Sequence, residues 1–150
     1  MIQVYENVFN DESIDHLFNL TKHMNYAQGR VGGRVNLKQK NRKDLYIKTP
    51  NVLRYIDDIV YDKLYDEVKN TFGKRIDFRE SWKIGFYNSV EKGFYNLHTD
   101  DSRETKYRTI SMVSALSNPD DYEGGVLRFP NLNKEFKLKK MWRSPNGTIR

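Results

Sequence analysis

The residues of this chain best suited to chemistry lie in Tyr95-Asn96-Leu97-His98-Thr99-Asp100-Asp101. His98 and Asp100 are two positions apart, and in an extended chain residues i and i+2 point to the same side. One imidazole and one carboxylate can therefore approach one ion. That donor pair suits Fe(II) and similar divalent metals, and a second imidazole would complete a facial triad with positions open for oxygen and a cosubstrate. Alone, His-x-Asp more often marks a hydrogen-bonded surface pair. Asp101, beside it, reads as solvated surface.

The elements around this pair follow from hydrophobic spacing. A first helix is expected from Asn10 or Asp11, either of which can cap it, with Ile14, Leu17, Phe18 and later Met24 at helical intervals. Gln28 to Asn41 reads as a loop, with at most one short strand at Arg34 to Leu37. Thr49 and Pro50 open a second helix whose apolar stripe is Leu53, Ile56, Val60, Leu64 and Val68, and Gly73 ends it. The period then becomes alternating. Strands are expected at Ser81 to Tyr87, Phe94 to His98, Arg108 to Leu116, Gly125 to Phe129 and Glu135 to Leu138. Turn signals separate them, among them Glu91-Lys92-Gly93 and Ser117-Asn118-Pro119-Asp120-Asp121. Two helices followed by short strands imply an α+β fold, mainly β, with the helices packed on an antiparallel sheet or sandwich.

Three blocks in this order carry a family resemblance. Tyr87 to Asp100 has a tyrosine, a spacer, Gly93, an aromatic pair and then His-x-Asp. Arg108 to Ser117 is like the strand that follows, and Asn118-Pro119-Asp120-Asp121-Tyr122-Glu123-Gly124-Gly125-Val126-Leu127-Arg128-Phe129 is like the next turn and strand. Together they resemble the iron(II)/2-oxoglutarate-dependent dioxygenases of the prolyl 4-hydroxylase-like group. The resemblance implies a double-stranded β-helix, or jelly roll, with N-terminal helices. It implies His98 and Asp100 as catalytic iron ligands, Tyr87 as a residue of the 2-oxoglutarate pocket, and Fe(II), 2-oxoglutarate and ascorbate as cofactors. The partners would be 2-oxoglutarate, O2 and a substrate such as a protein side chain. Gly124 and Gly125 read as turn glycines, and Ser111 and Arg108 as strand residues.

The family pattern also requires a second histidine and a basic residue downstream. The chain has three histidines, His16, His23 and His98, and none follows Asp100. His16 and His23 are seven apart on a helix, about 10 Å along its axis, and cannot share one ion. Arg143 and Arg150 are not preceded by such a histidine. The expectation is one dioxygenase-like domain over residues 1–150, truncated at its C-terminus and lacking its last strands.

Composition limits the alternatives. The 150 residues suit one domain, and 37% hydrophobic with 13% aromatic residues favours a folded chain over disorder. The absence of cysteine excludes disulfides, thiol nucleophiles and zinc–thiolate sites. No apolar run approaches the roughly 20 residues of a membrane span. The N-terminus lacks a basic-then-apolar leader, so a cytoplasmic protein is expected. Net charge is +6, and eight basic residues against Asp44 lie between Arg30 and Arg54. This concentration suggests a second function: a non-catalytic basic module for nucleic acid or another anionic partner, bound through Arg30–Arg54 and the C-terminal lysines.

Overall fold

A computed structural model describes residues 1–100 and 106–137. Asp101, Leu138, Arg143, Arg150 and the lysines after Lys137 lie outside the described residues. The described residues form two compact units, one of Asp15–Asn96 and one of Met1–Ile14 with the described residues from Leu97 to Lys137.

Helix α1 runs Asp11–Thr21, and Asn10 caps it by accepting the Ser13 backbone N–H at its Oδ1, 2.8 Å away. Asp11 and Glu12 in the first turn complement the helix dipole. Ile14 and Leu17 are buried, whereas Phe18 is exposed. The helix stops at Thr21, whose hydroxyl donates back to the Leu17 carbonyl at 2.9 Å, so Met24 lies beyond it.

Gln28 to Asn41, expected as a loop with at most one strand at Arg34 to Leu37, holds several very short strands: β1 (Ala27–Gln28), β2 (Arg30–Val31), β3 (Arg34–Val35) and β4 (Lys40–Asn41), and β5 (Lys43–Tyr46) follows. Gly32 and Gly33, at φ +54° and +77°, make the two-residue turn joining β2 to β3. Both central residues of such a hairpin turn need positive φ, which glycine adopts without steric cost.

Helix α2 runs Pro50–Phe72, entered from an extended Thr49 and closed by Gly73 at φ +62°, whose N–H donates to the Lys69 carbonyl. Its buried face is Val52, Ile56, Val60, Leu64 and Val68, each four residues from the next. The stripe thus begins at Val52 and not Leu53. Beyond it lie β6 (Lys83–Phe86) and β7 (Phe94–Tyr95). β5 is the middle strand of an antiparallel sheet ordered β1-β5-β6, with Leu45 opposite Ile84, and β4 pairs with β7. Leu17, Leu45, Ile47, the α2 stripe and Ile84 are the buried apolar residues of this unit. Burying each side chain of this kind stabilises by roughly 1.5–3 kcal/mol.

In the second unit, β8 (Val126–Phe129) and β9 (Lys134–Lys137) form a hairpin with Leu127 opposite Phe136. A 3-10 turn over Pro119–Asp121 precedes it, and Asn118 Oδ1 accepts the Asp120 N–H. Gly124 and Gly125, at φ +75° and +65°, are turn residues as expected. No described residue after Ile84 is buried.

The double-stranded β-helix is corrected by this topology. The fold is α+β with two helices and four small antiparallel sheets, and none of them closes on itself among the described residues. Arg108–Leu116, the longest strand expected, is not a strand. Phe94 to His98 shrinks to Phe94–Tyr95. A jelly roll needs long strands paired on both sides, and β-propensity does not supply the partner that turns an apolar alternation into a strand. The resemblance to the dioxygenase family implied a closed barrel, and these open sheets correct it.

Candidate functional site

The chain leaves β7 at Tyr95, and Asn96 is tied back by its N–H to the Gln39 carbonyl at 2.9 Å. Leu97 to Asp100 is therefore irregular. It nonetheless brings the two expected site residues together, with His98 Nε2 3.5 Å from Asp100 Oδ1. Both side chains are partly open to solvent, at 35% and 47% exposure. Arg108 reaches the same place, its Nη1 donating to the Asp100 backbone carbonyl at 3.2 Å. Sequence reasoning gave Arg108 only a strand role.

These groups line a shallow hollow of about 690 Å³. Thr109 and Ser111 add hydroxyls, and Leu97, Ile110, Phe129 and Leu132 add apolar surface. Arg128 also borders the hollow, paired at 2.9 Å with Glu135 across the β8–β9 hairpin. A hollow with both apolar surface and converging polar groups can receive a small molecule.

Tyr87, the third expected site residue, belongs to the other unit. Its hydroxyl accepts from Arg42 Nη1 at 3.1 Å, and the same guanidinium lies 5.3 Å from the Tyr87 ring centroid and 5.6 Å from that of Tyr95. Behind it is a buried ionic trio. Arg42 Nε and Lys40 Nζ each stand 2.6 Å from a different oxygen of Asp44, whose side chain is wholly enclosed. Burial raises the Asp44 carboxyl, but the hydrogen bonds from Lys40 and Arg42 outweigh it and hold Asp44 below the ordinary carboxylate range. Burial lowers Lys40, and its bond to Asp44 offsets this only in part.

Two glycines make room for the trio. A Cβ on Gly29 would lie 2.7 Å from both the Arg42 carbonyl oxygen and Lys40 Cε, and one on Gly85 would lie 3.0 Å from the Arg42 guanidinium. Sequence reasoning missed this cluster. The available signal was the single acid among eight bases, placed so that Lys40, Arg42 and Asp44 alternate along the chain.

The expected metal chemistry does not fit. Among the described residues no group of three or more His, Asp or Glu side chains could hold a metal ion. A ferrous facial triad requires three such donors, and here His98 and Asp100 supply two. His16 packs edge-on against the Tyr55 ring at 4.8 Å. Fe(II), 2-oxoglutarate and ascorbate as cofactors are therefore corrected, as are dioxygenase activity and 2-oxoglutarate and O2 as partners.

The basic module is corrected as well. Lys40 and Arg42 turn inward onto Asp44, and Lys43 pairs with Glu91 at 3.3 Å. Arg30–Arg54 is thus not a continuous cationic face for nucleic acid or another anionic partner. No helix among the described residues is long and apolar enough to cross a membrane. No family model, curated protein or solved structure matches this chain.

Proposed function

We propose that this protein binds a small zwitterionic ligand, an α-amino acid with an apolar side chain, in the hollow beside His98 and Asp100. The observation that carries this reading is the nearness of Asp100 and Arg108 in a hollow that mixes polar and apolar lining, with Arg108 bonded to the backbone of Asp100 itself. A carboxylate accepts from an ammonium group, and a planar guanidinium takes a carboxylate through two parallel bonds. Opposite charges at adjacent atoms of the ligand match opposite charges at adjacent positions of the site. Leu97, Ile110, Phe129 and Leu132 offer the apolar body a surface to cover. His98 has a positioning role, its ring steadying the Asp100 carboxylate from 3.5 Å. The cytoplasmic setting expected from the sequence stays part of this proposal, and fractionation of cells expressing the tagged chain tests it.

Titration calorimetry with three related compounds tests the binding reading: L-leucine, 3-methylbutylamine, which lacks the carboxylate, and 4-methylpentanoate, which lacks the ammonium. L-Leucine should bind saturably and both analogues at least about tenfold more weakly, since each leaves one charge of the site unanswered. Arg108→Gln should erase the preference for leucine over the amine, and Asp100→Asn the preference over the acid. Equal binding of all three compounds, or no saturable binding of leucine, overturns the proposal.

A further inference from the structure

Thr109 to Pro119 is a run of eleven residues without a charge, bounded by Arg108 and Asp120. Its first eight, Thr109-Ile110-Ser111-Met112-Val113-Ser114-Ala115-Leu116, contain no glycine or proline, and five of them are apolar. Ile110, Met112 and Leu116 fall on one side of an extended chain, with Ser114 between the last two. This is the composition of a strand that seeks a partner. Yet no strand lies between Tyr95 and Val126 among the described residues. Val113 is 62% exposed and Met112 37%, and nothing described after Ile84 is buried. A segment this apolar and this open exposes both its side chains and a template for backbone pairing.

We infer that Thr109–Leu116 is a self-association strand, pairing antiparallel with the same segment of a second copy about a two-fold axis at Val113. Charge selects this arrangement. Parallel in-register pairing would set Arg108 beside Arg108, a like-charge contact that destabilises a sheet. Antiparallel pairing centred on Val113 sets Arg108 opposite Asn118, Ile110 opposite Leu116, Ser111 opposite Ala115 and Met112 opposite Ser114. No charge then opposes its like, and Ile110, Met112 and Leu116 of both copies gather on one face, with Val113 and Ala115 on the other. The two-fold axis closes the contact on itself, so the product is a dimer and not a fibre.

The test exploits the axis, where Val113 meets its own copy. Sedimentation of the full chain over a concentration series should show a reversible monomer–dimer equilibrium. Val113→Lys and Val113→Glu each place like charges together and should raise the dimer dissociation constant on the order of tenfold or more. An equimolar mixture of the two variants should recover dimer, because Lys now faces Glu. Val113 is an exposed side chain, and circular dichroism of each variant reports whether the fold is kept. A wild type that stays monomeric, a dimer indifferent to both substitutions, a mixture that fails to recover, or open-ended growth in place of a dimer overturns the inference.

Discussion

Asp44→Asn should be among the most damaging single substitutions in the first unit. The wild-type carboxylate is fully enclosed and answers Lys40 and Arg42 at 2.6 Å each. A hydrogen bond to a charged group contributes about 1.5–3 kcal/mol, and removing one side of a buried ion pair leaves the other side uncompensated. Lys40 is 3% exposed at its side chain and so is poorly solvated, whereas Arg42 at 18% is partly relieved. The expected loss is about 3–5 kcal/mol, against a total stability of about 5–15 kcal/mol for a typical domain.

In urea, with a slope near 1.5 kcal/mol/M, the midpoint should fall by about 2–3 M. Ellipticity of the helices reads it. Lys40→Met should be neutral or stabilising in the Asp44→Asn background, because it then removes an unpaired buried cation. The pH profile gives a second check. Asp44 is held below its unfolded value of about 3.9, so as pH falls the unfolded chain takes up the proton first. Its contribution is complete above that unfolded value and disappears as pH drops toward the folded one. Wild-type stability should therefore slope more steeply below about pH 5 than that of Asp44→Asn. A cost under about 1 kcal/mol with an unchanged acid slope would show that water reaches the trio in solution, and the reasoning would be wrong.

Gly29→Ala should lower stability by about 1–3 kcal/mol, because its Cβ meets the fixed Arg42 carbonyl at 2.7 Å. Gly85→Ala should cost less, since only the Arg42 side chain must give way, and urea midpoints rank the two. Asn10→Ala removes the cap on α1 and should cost about 1 kcal/mol, read by thermal melting followed at 222 nm. Asp57 takes a two-pronged contact from Arg79 and a bond from Trp82 Nε1 at 2.8 Å. The Arg79 bond, chiefly, holds its carboxyl below the ordinary range. The pair is partly solvated, so Asp57→Asn should cost no more than about 1 kcal/mol at neutral pH, and the difference from wild type should vanish in acid.

The helices were legible because their signals are local. Asn10 and Gly73 act through bonds three and four residues away, and the α2 stripe is a periodicity within one segment. The one-residue error at its start, Val52 for Leu53, arose because both are apolar and only packing chooses between them. The meeting of His98 and Asp100 was also legible, since two positions of separation leave few ways to part them. The company they keep was not. Arg108, Phe129 and Leu132 converge on them across intervals that no motif spans.

Sequence alone settled the glycine that ends α2, the backbone freedom needed at Gly124 and Gly125, the absence of thiol chemistry and the excess of positive charge. Tertiary structure decided the rest: a strand exists only when a distant part of the chain completes it, and neighbouring charges pair inside only when the surrounding fold encloses them. Thr109–Leu116 has a strand's composition but, among the described residues, no ladder partner, so the barrel did not follow from it. Lys40 and Arg42 have the composition of a solvated basic face, but Asp44 drew them inside.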